Sequence, residues 1–113
     1  MGSFEFALGC NAPANISDLH IFRNDFPDSR CFAFFRSSPN SIRQLLADPI
    51  YELTGRKVEC NLLERKSWKD LHHMGLVTNL SVYVRTDINK ENTVGELWVD
   101  PEFNFIFVSY AAM

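Results

Sequence analysis

Asp70, His72 and His73 are the densest group of potentially catalytic side chains in this 113-residue chain. On a helix, a carboxylate three residues before an imidazole shares its face, so Asp70 and His73 could pass a proton between them. The adjacent His72 and His73 diverge by about 100° and cannot both reach one metal ion. No HxxxH or HExxH spacing occurs, and no cysteine lies within four residues of a histidine. No metal ligand set is therefore expected. Tyr83, on a predicted strand, would complete a polar set with Asp70, His72 and His73 if a pocket formed between sheet and helix. The structural alternative is plainer: histidines filling an exposed polar face.

Nucleophile chemistry has even less to work with. Cys10, Cys31 and Cys60 could each meet a histidine in space, but no local signature marks such a pair. GxSxG, GxGxxG and P-loop patterns are absent, and five glycines leave little for a phosphate cradle. Ser37 and Ser38 precede a predicted helix, where backbone N–H groups attract anions. Serine there is expected simply to cap. No catalytic residue and no cofactor are expected.

The composition narrows the partners. A net charge of −3 argues against a nucleic-acid binder, which needs clustered Lys and Arg. No apolar run approaches the ~20 residues of a membrane span. Charge is uneven: Arg56, Lys57, Arg65, Lys66 and Lys69 crowd the segment 56–73, whereas 87–102 is acidic. Glu59, Glu64 and Asp70 are interspersed in the basic segment, which reads as a solvated face. Three widely spaced cysteines suit reduced core thiols in a cytoplasmic protein better than a disulfide framework. The opening Met1-Gly2-Ser3 reads as a cloning scar, leaving a single domain over 4–113.

The elements that must position these groups follow from pattern. FEFAL (4–8) predicts a short strand, and ISDLHIFR (16–23) predicts a short helix from its apolar spacing. RCFAFFR (30–36) alternates as a strand covered on both faces. Ser38 then stands at an N-cap and Pro39 at the first helical position, with Ile42, Leu45 and Leu46 forming one stripe before Asp48-Pro49 stops the helix. PIYELTG (49–55) predicts a turn and KVECNLL (57–63) a half-buried strand. SWKDLHHMG (67–75) predicts a helix capped by Ser67 and ended by Gly75. The segments 76–87, 93–100 and 104–112 predict a three-stranded meander, with a type I turn at Asp100-Pro101-Glu102-Phe103.

These elements give an α+β fold: an antiparallel sheet of four to five strands packed on two to three helices. On the last strand Phe105 and Phe107 oppose Ile106, Val108 and Tyr110, so both faces are apolar and both need cover. Ten Phe in so short a chain sharpen that demand. The expected function is that of a soluble, non-catalytic binding or interaction protein. It would pair with a second copy, a homodimer, through Trp98, Phe105, Phe107 and Tyr110, with another protein as a further possible partner. The alternative is a small-molecule or enzymatic site lined by Asp70, His72, His73 and Tyr83.

Overall fold

The computed structural model describes residues 15–24, 29–88 and 93–112. The strand expected at 4–8 and Cys10 lie outside them. Among the described residues six antiparallel strands form one sheet: β1 (Ser17–Asn24), β2 (Ser29–Arg36), β3 (Tyr51–Asn61), β4 (Leu76–Arg85), β5 (Thr93–Val99) and β6 (Phe105–Ala112). Their order across the sheet is β1-β2-β6-β5-β4-β3. Strands β3 to β6 form a continuous meander, and β6 returns to pair with β2 over eight residues from Ser29↔Ala112 to Arg36↔Phe105.

Among the described residues there is one α-helix, α1 (Pro39–Leu46), and two 3-10 segments at Leu62–Glu64 and Lys69–Met74. The architecture is thus sheet-dominated. It corrects the expected α+β layout of four to five strands on two to three helices.

The β2–α1 junction forms as its residues dictate. Ser38 stays extended and its Oγ accepts the Ser41 N–H at 3.2 Å, while Pro39 opens the helix. Ala47 N–H donates to the Arg43 carbonyl, and Asp48 Oδ1 then accepts the Ile50 N–H to close the exit turn. Ile42 and Leu45 are the buried stripe of α1. They pack on Phe35, Leu97, Val99, Ile106 and Val108, which share one face of the sheet. We call this the α1 face.

Three expected elements differ, each for a local reason. Residues 16–23 are strand, not helix. A bulge between Ser17 and His20, with Asp18 at φ 56°, shifts the alternation by one. Ile16 and Leu19, three apart, therefore both reach the α1-face core and imitate a helical spacing. Residues 49–55 hold the start of an 11-residue strand rather than a turn. Gly55, at φ 80°, sits in a bulge between Leu53 and Lys57, where Thr54 Oγ1 accepts the Arg56 N–H. Residues 69–74 wind as a 3-10 helix with Trp68, not Ser67, at the cap position and no side-chain cap bond. Trp68, Leu71 and Met74 are three apart, which aligns them in one row when the helix has three residues per turn. Gly75 ends it at φ 57°.

No helix among the described residues is long and apolar enough to cross a membrane.

Candidate functional site

The second face of the sheet carries the aromatic side chains. Cross-strand partners share a face, so one row runs His20, Phe34, Phe107, Trp98 and Val82 across five strands. The row beside it runs Phe22, Phe32, Ser109, Glu96 and Val84. Phe34 and Phe107 rings stand 5.1 Å apart, Phe32 and Trp98 5.5 Å, and Phe34 and Phe105 5.5 Å.

The chain itself covers part of this face. Residues 62–74 lay Leu62, Trp68 and Leu71 over Phe34, Leu80 and Phe107, and all six are at most 3% exposed. This answers the demand raised by the doubly apolar last strand: α1 covers Ile106 and Val108, and the 3-10 segments cover Phe107.

Two arginines hold the cover at its margins. The Arg65 guanidinium lies 4.1 Å from the Phe32 ring centroid, and Arg36 lies 5.4 Å from that of Phe34. Arg36 also donates to Asp18 at 3.1 Å and to the Met74 sulfur at 3.3 Å, joining β1, β2 and the cover.

Among the described residues nothing covers the rest of the face. Phe22 and Val94 are each 46% exposed, and Phe32 and Trp98 between them are half-buried. Trp98 donates its indole N–H to Glu96 at 3.0 Å, and Glu96 also pairs with Arg56. On the β3 side of Trp98 is a cleft of about 340 Å³ lined by Glu59, Cys60, Asn61, Glu64, Arg65 and Trp98.

The candidate polar residues do not converge. Asp70, His72 and His73 lie on the cover, whereas Tyr83 packs into the α1-face core on the other side of the sheet. His72 Nε2 donates to the Arg65 carbonyl at 3.0 Å and His73 Nδ1 to that of Asp70 at 2.9 Å. Each imidazole is thus tied to backbone, and His73 meets the carbonyl of Asp70 rather than its carboxylate. The Asp70 carboxylate lies 3.8 Å from His20 Nε2, while His20 Nδ1 donates to the Asp18 carbonyl. His20 was not an expected partner, because only the bulge at Asp18 brings it there.

None of these four residues lines the cleft. Its own residues, Glu59, Asn61, Glu64 and Arg65, read in the sequence as parts of a strand and a charged surface. Of the expected interface residues, Trp98 and Phe105 are half-buried on the aromatic face, Phe107 is fully buried there, and Tyr110 lies on the α1 face.

Cys31 belongs to the α1-face core and Cys60 to the aromatic-face core, both as free thiols. Burial pushes both thiols up from their ordinary value, against weaker opposing pulls from Arg23 on Cys31 and Arg65 on Cys60. Neither is an activated nucleophile. Among the described residues no group of three or more His, Cys, Asp or Glu side chains could hold a metal ion. No protein-family model matches this chain, and neither the curated proteins nor the solved structures yield a match.

Proposed function

We propose that the protein is a non-catalytic interaction module that associates with a second copy through the uncovered part of its aromatic face. The observation that carries this reading is the strip from Phe22 through Phe32 and Trp98 to Val94, whose two ends are each 46% exposed. Exposed apolar side chains gathered on one sheet face, here interspersed with Ser109 and Glu96, favour an association surface over chance exposure. A two-fold contact buries such a strip against its own copy, and closed two-fold dimers are the commonest oligomers. Phe107 supports the strip from beneath, and Trp98 belongs to it directly.

A ligand site built on Asp70, His72, His73 and Tyr83 has less in its favour. Its members stand on opposite sides of the sheet, and three of them sit on a segment whose imidazoles are tied to backbone carbonyls.

Light scattering across the micromolar range tests the reading. The wild type should approach twice the chain mass as concentration rises. Phe22→Asp and Val94→Arg, at exposed positions, should stay monomeric with unchanged circular dichroism. A wild-type mass of one chain at every concentration would remove the dimer.

A further inference from the structure

We infer that His20 is a proton-dependent clasp: its imidazolium form ties the 62–74 cover to β1, and loss of the proton loosens the cover. What the two ring nitrogens face decides this. Nδ1 lies 2.9 Å from the Asp18 carbonyl oxygen, and Nε2 lies 3.8 Å from a carboxylate oxygen of Asp70 on the cover. A carbonyl and an ionised carboxylate can only accept. A neutral imidazole owns a single N–H and serves one of them. The shorter contact takes it, which leaves the bare lone pair of Nε2 turned towards a negative charge. Only the imidazolium has a donor for each neighbour.

The charges around the ring favour the same form. Among the described residues they are Asp18 on its own strand, with Oδ1 3.8 Å from Nδ1, Arg36 on β2, and Asp70 on the cover. Arg36 is already engaged: its Nε donates to Asp18 at 3.1 Å, and its guanidinium lies over Phe34. Arg65, also on the cover, has its guanidinium 4.1 Å from the Phe32 ring centroid and 5.9 Å from that of Trp68. Two carboxylates therefore adjoin the imidazole, against one arginine paired with the first of them. The rings of Phe34 and Trp68, centred 6.0 and 5.9 Å away, flank His20, whose side chain is 14% exposed. Asp70 is 87% exposed, so the gain is that of a surface pair. Burial of Leu62, Trp68 and Leu71 holds the cover at any pH, and the clasp adds a part that a proton controls. Closing it takes up that proton, so acidification favours the closed cover. Trp68 touches both His20 and Phe32, which carries the effect to the margin of the uncovered strip. The clasp does not depend on that strip being used for association.

The test is hydrogen exchange of the full chain, read by mass spectrometry on dilute protein at about pH 5.5 and about pH 8, between which imidazoles titrate and carboxylates stay ionised. After correction for intrinsic exchange rates, amides of 62–74 should be about threefold to fivefold better protected at the lower pH, the size of one ion pair with an exposed partner. Asp70→Asn, at an exposed position, should keep the fold and abolish the difference. His20→Gln should abolish it too. His72→Gln and His73→Gln should retain it, because those imidazoles bond to carbonyls of their own segment. Three outcomes overturn the clasp: no gain in protection when the wild type is acidified, a gain that persists in Asp70→Asn, or a gain lost with His72 or His73 while His20 is intact. Asp70→Asn decides the matter even if His20→Gln disturbs the packing of Trp68. Self-association through Phe22 and Val94 is scored on mass, so either conclusion can fail without the other.

Discussion

The carboxylate of Asp100 accepts the backbone N–H of Phe105 at 2.9 Å, and through it the β5–β6 turn is locked to the first residue of β6. The same group accepts the N–H of Asn104 at 2.7 Å and of Glu102 at 3.3 Å while only 6% exposed. The Asn104 carbonyl in turn accepts the N–H of Ser37, one residue before the α1 cap. One buried carboxylate therefore organises the turn and, at one remove, the β2–α1 junction.

Asp100→Ala leaves those backbone donors without their acceptor. Hydrogen bonds to a charged group contribute about 1.5–3 kcal/mol, and orphaned buried donors add their desolvation cost. We expect a loss of about 2–3 kcal/mol in urea unfolding. Asp100→Asn, which keeps one acceptor oxygen, should lose roughly half as much. A loss in Asp100→Ala no larger than an ordinary surface substitution, about 0.5 kcal/mol, would contradict this role.

The legible parts of the fold are those where neighbouring residues agree. Ser38, Pro39 and the Ile42–Leu45 stripe specify the same helix start independently, and the structure has it. Strands β2, β5 and β6 alternate cleanly and are readable, and β4 is readable despite its bulge at Asn79. Irregularity hid the rest. The bulges at Asp18 and Gly55 break the two-residue period, so β1 looked helical and the start of β3 looked like a turn. The sequence also shows that both faces of β6 need cover without showing what supplies it. The cover, residues 62–74, has no strong local signature because Trp68, Leu71 and Met74 fit a 3-10 and an α spacing about equally. The cleft was illegible for a related reason: its residues come from β3, the corner after it and β5, and only the sheet order brings them together.

Cys31 and Cys60 lie in cores on opposite faces of the sheet, so the native fold does not allow a bridge between them. Burial raises both thiol pKa values above the ordinary 9.0. A raised folded value means stability is complete below the unfolded pKa and is lost as pH rises through the folded one. Unfolding free energy should therefore decline above about pH 9, by at most about 1.4 kcal/mol per pH unit for each thiol. Tyrosines and lysines also titrate there, so the informative quantity is a difference. Cys31→Ala/Cys60→Ala should show a shallower decline between pH 8 and pH 10 than the wild type. Equal slopes would mean that neither thiol is held neutral by the fold. In the native state at pH 8 both thiols should also resist iodoacetamide until urea exposes them.

Trp68 gives the sharpest test of the cover. It is 3% exposed, with its ring tilted against Phe32 at 5.4 Å and His20 at 5.9 Å, yet its Nε1 has no hydrogen-bond partner among the described residues. Two terms oppose each other here. The ring contributes apolar burial, and truncation to alanine should cost about 3–5 kcal/mol. The unpaired N–H costs about 1–3 kcal/mol by its burial. Trp68→Phe removes that donor and keeps most of the packing, so the lost ring area and the relieved N–H should nearly cancel. We expect Trp68→Phe to cost no more than about 1.5 kcal/mol, and Trp68→Ala at least twice that. Hydrogen exchange should then localise the damage. In Trp68→Ala, amides of residues 62–74 should lose protection first, while those of β2 and β6, bonded to each other in the middle of the sheet, keep theirs, because Ile42 and Leu45 still cover the α1 face. If Trp68→Phe costs as much as Trp68→Ala, the indole N–H is contributing a bond and the cover is held by more than packing.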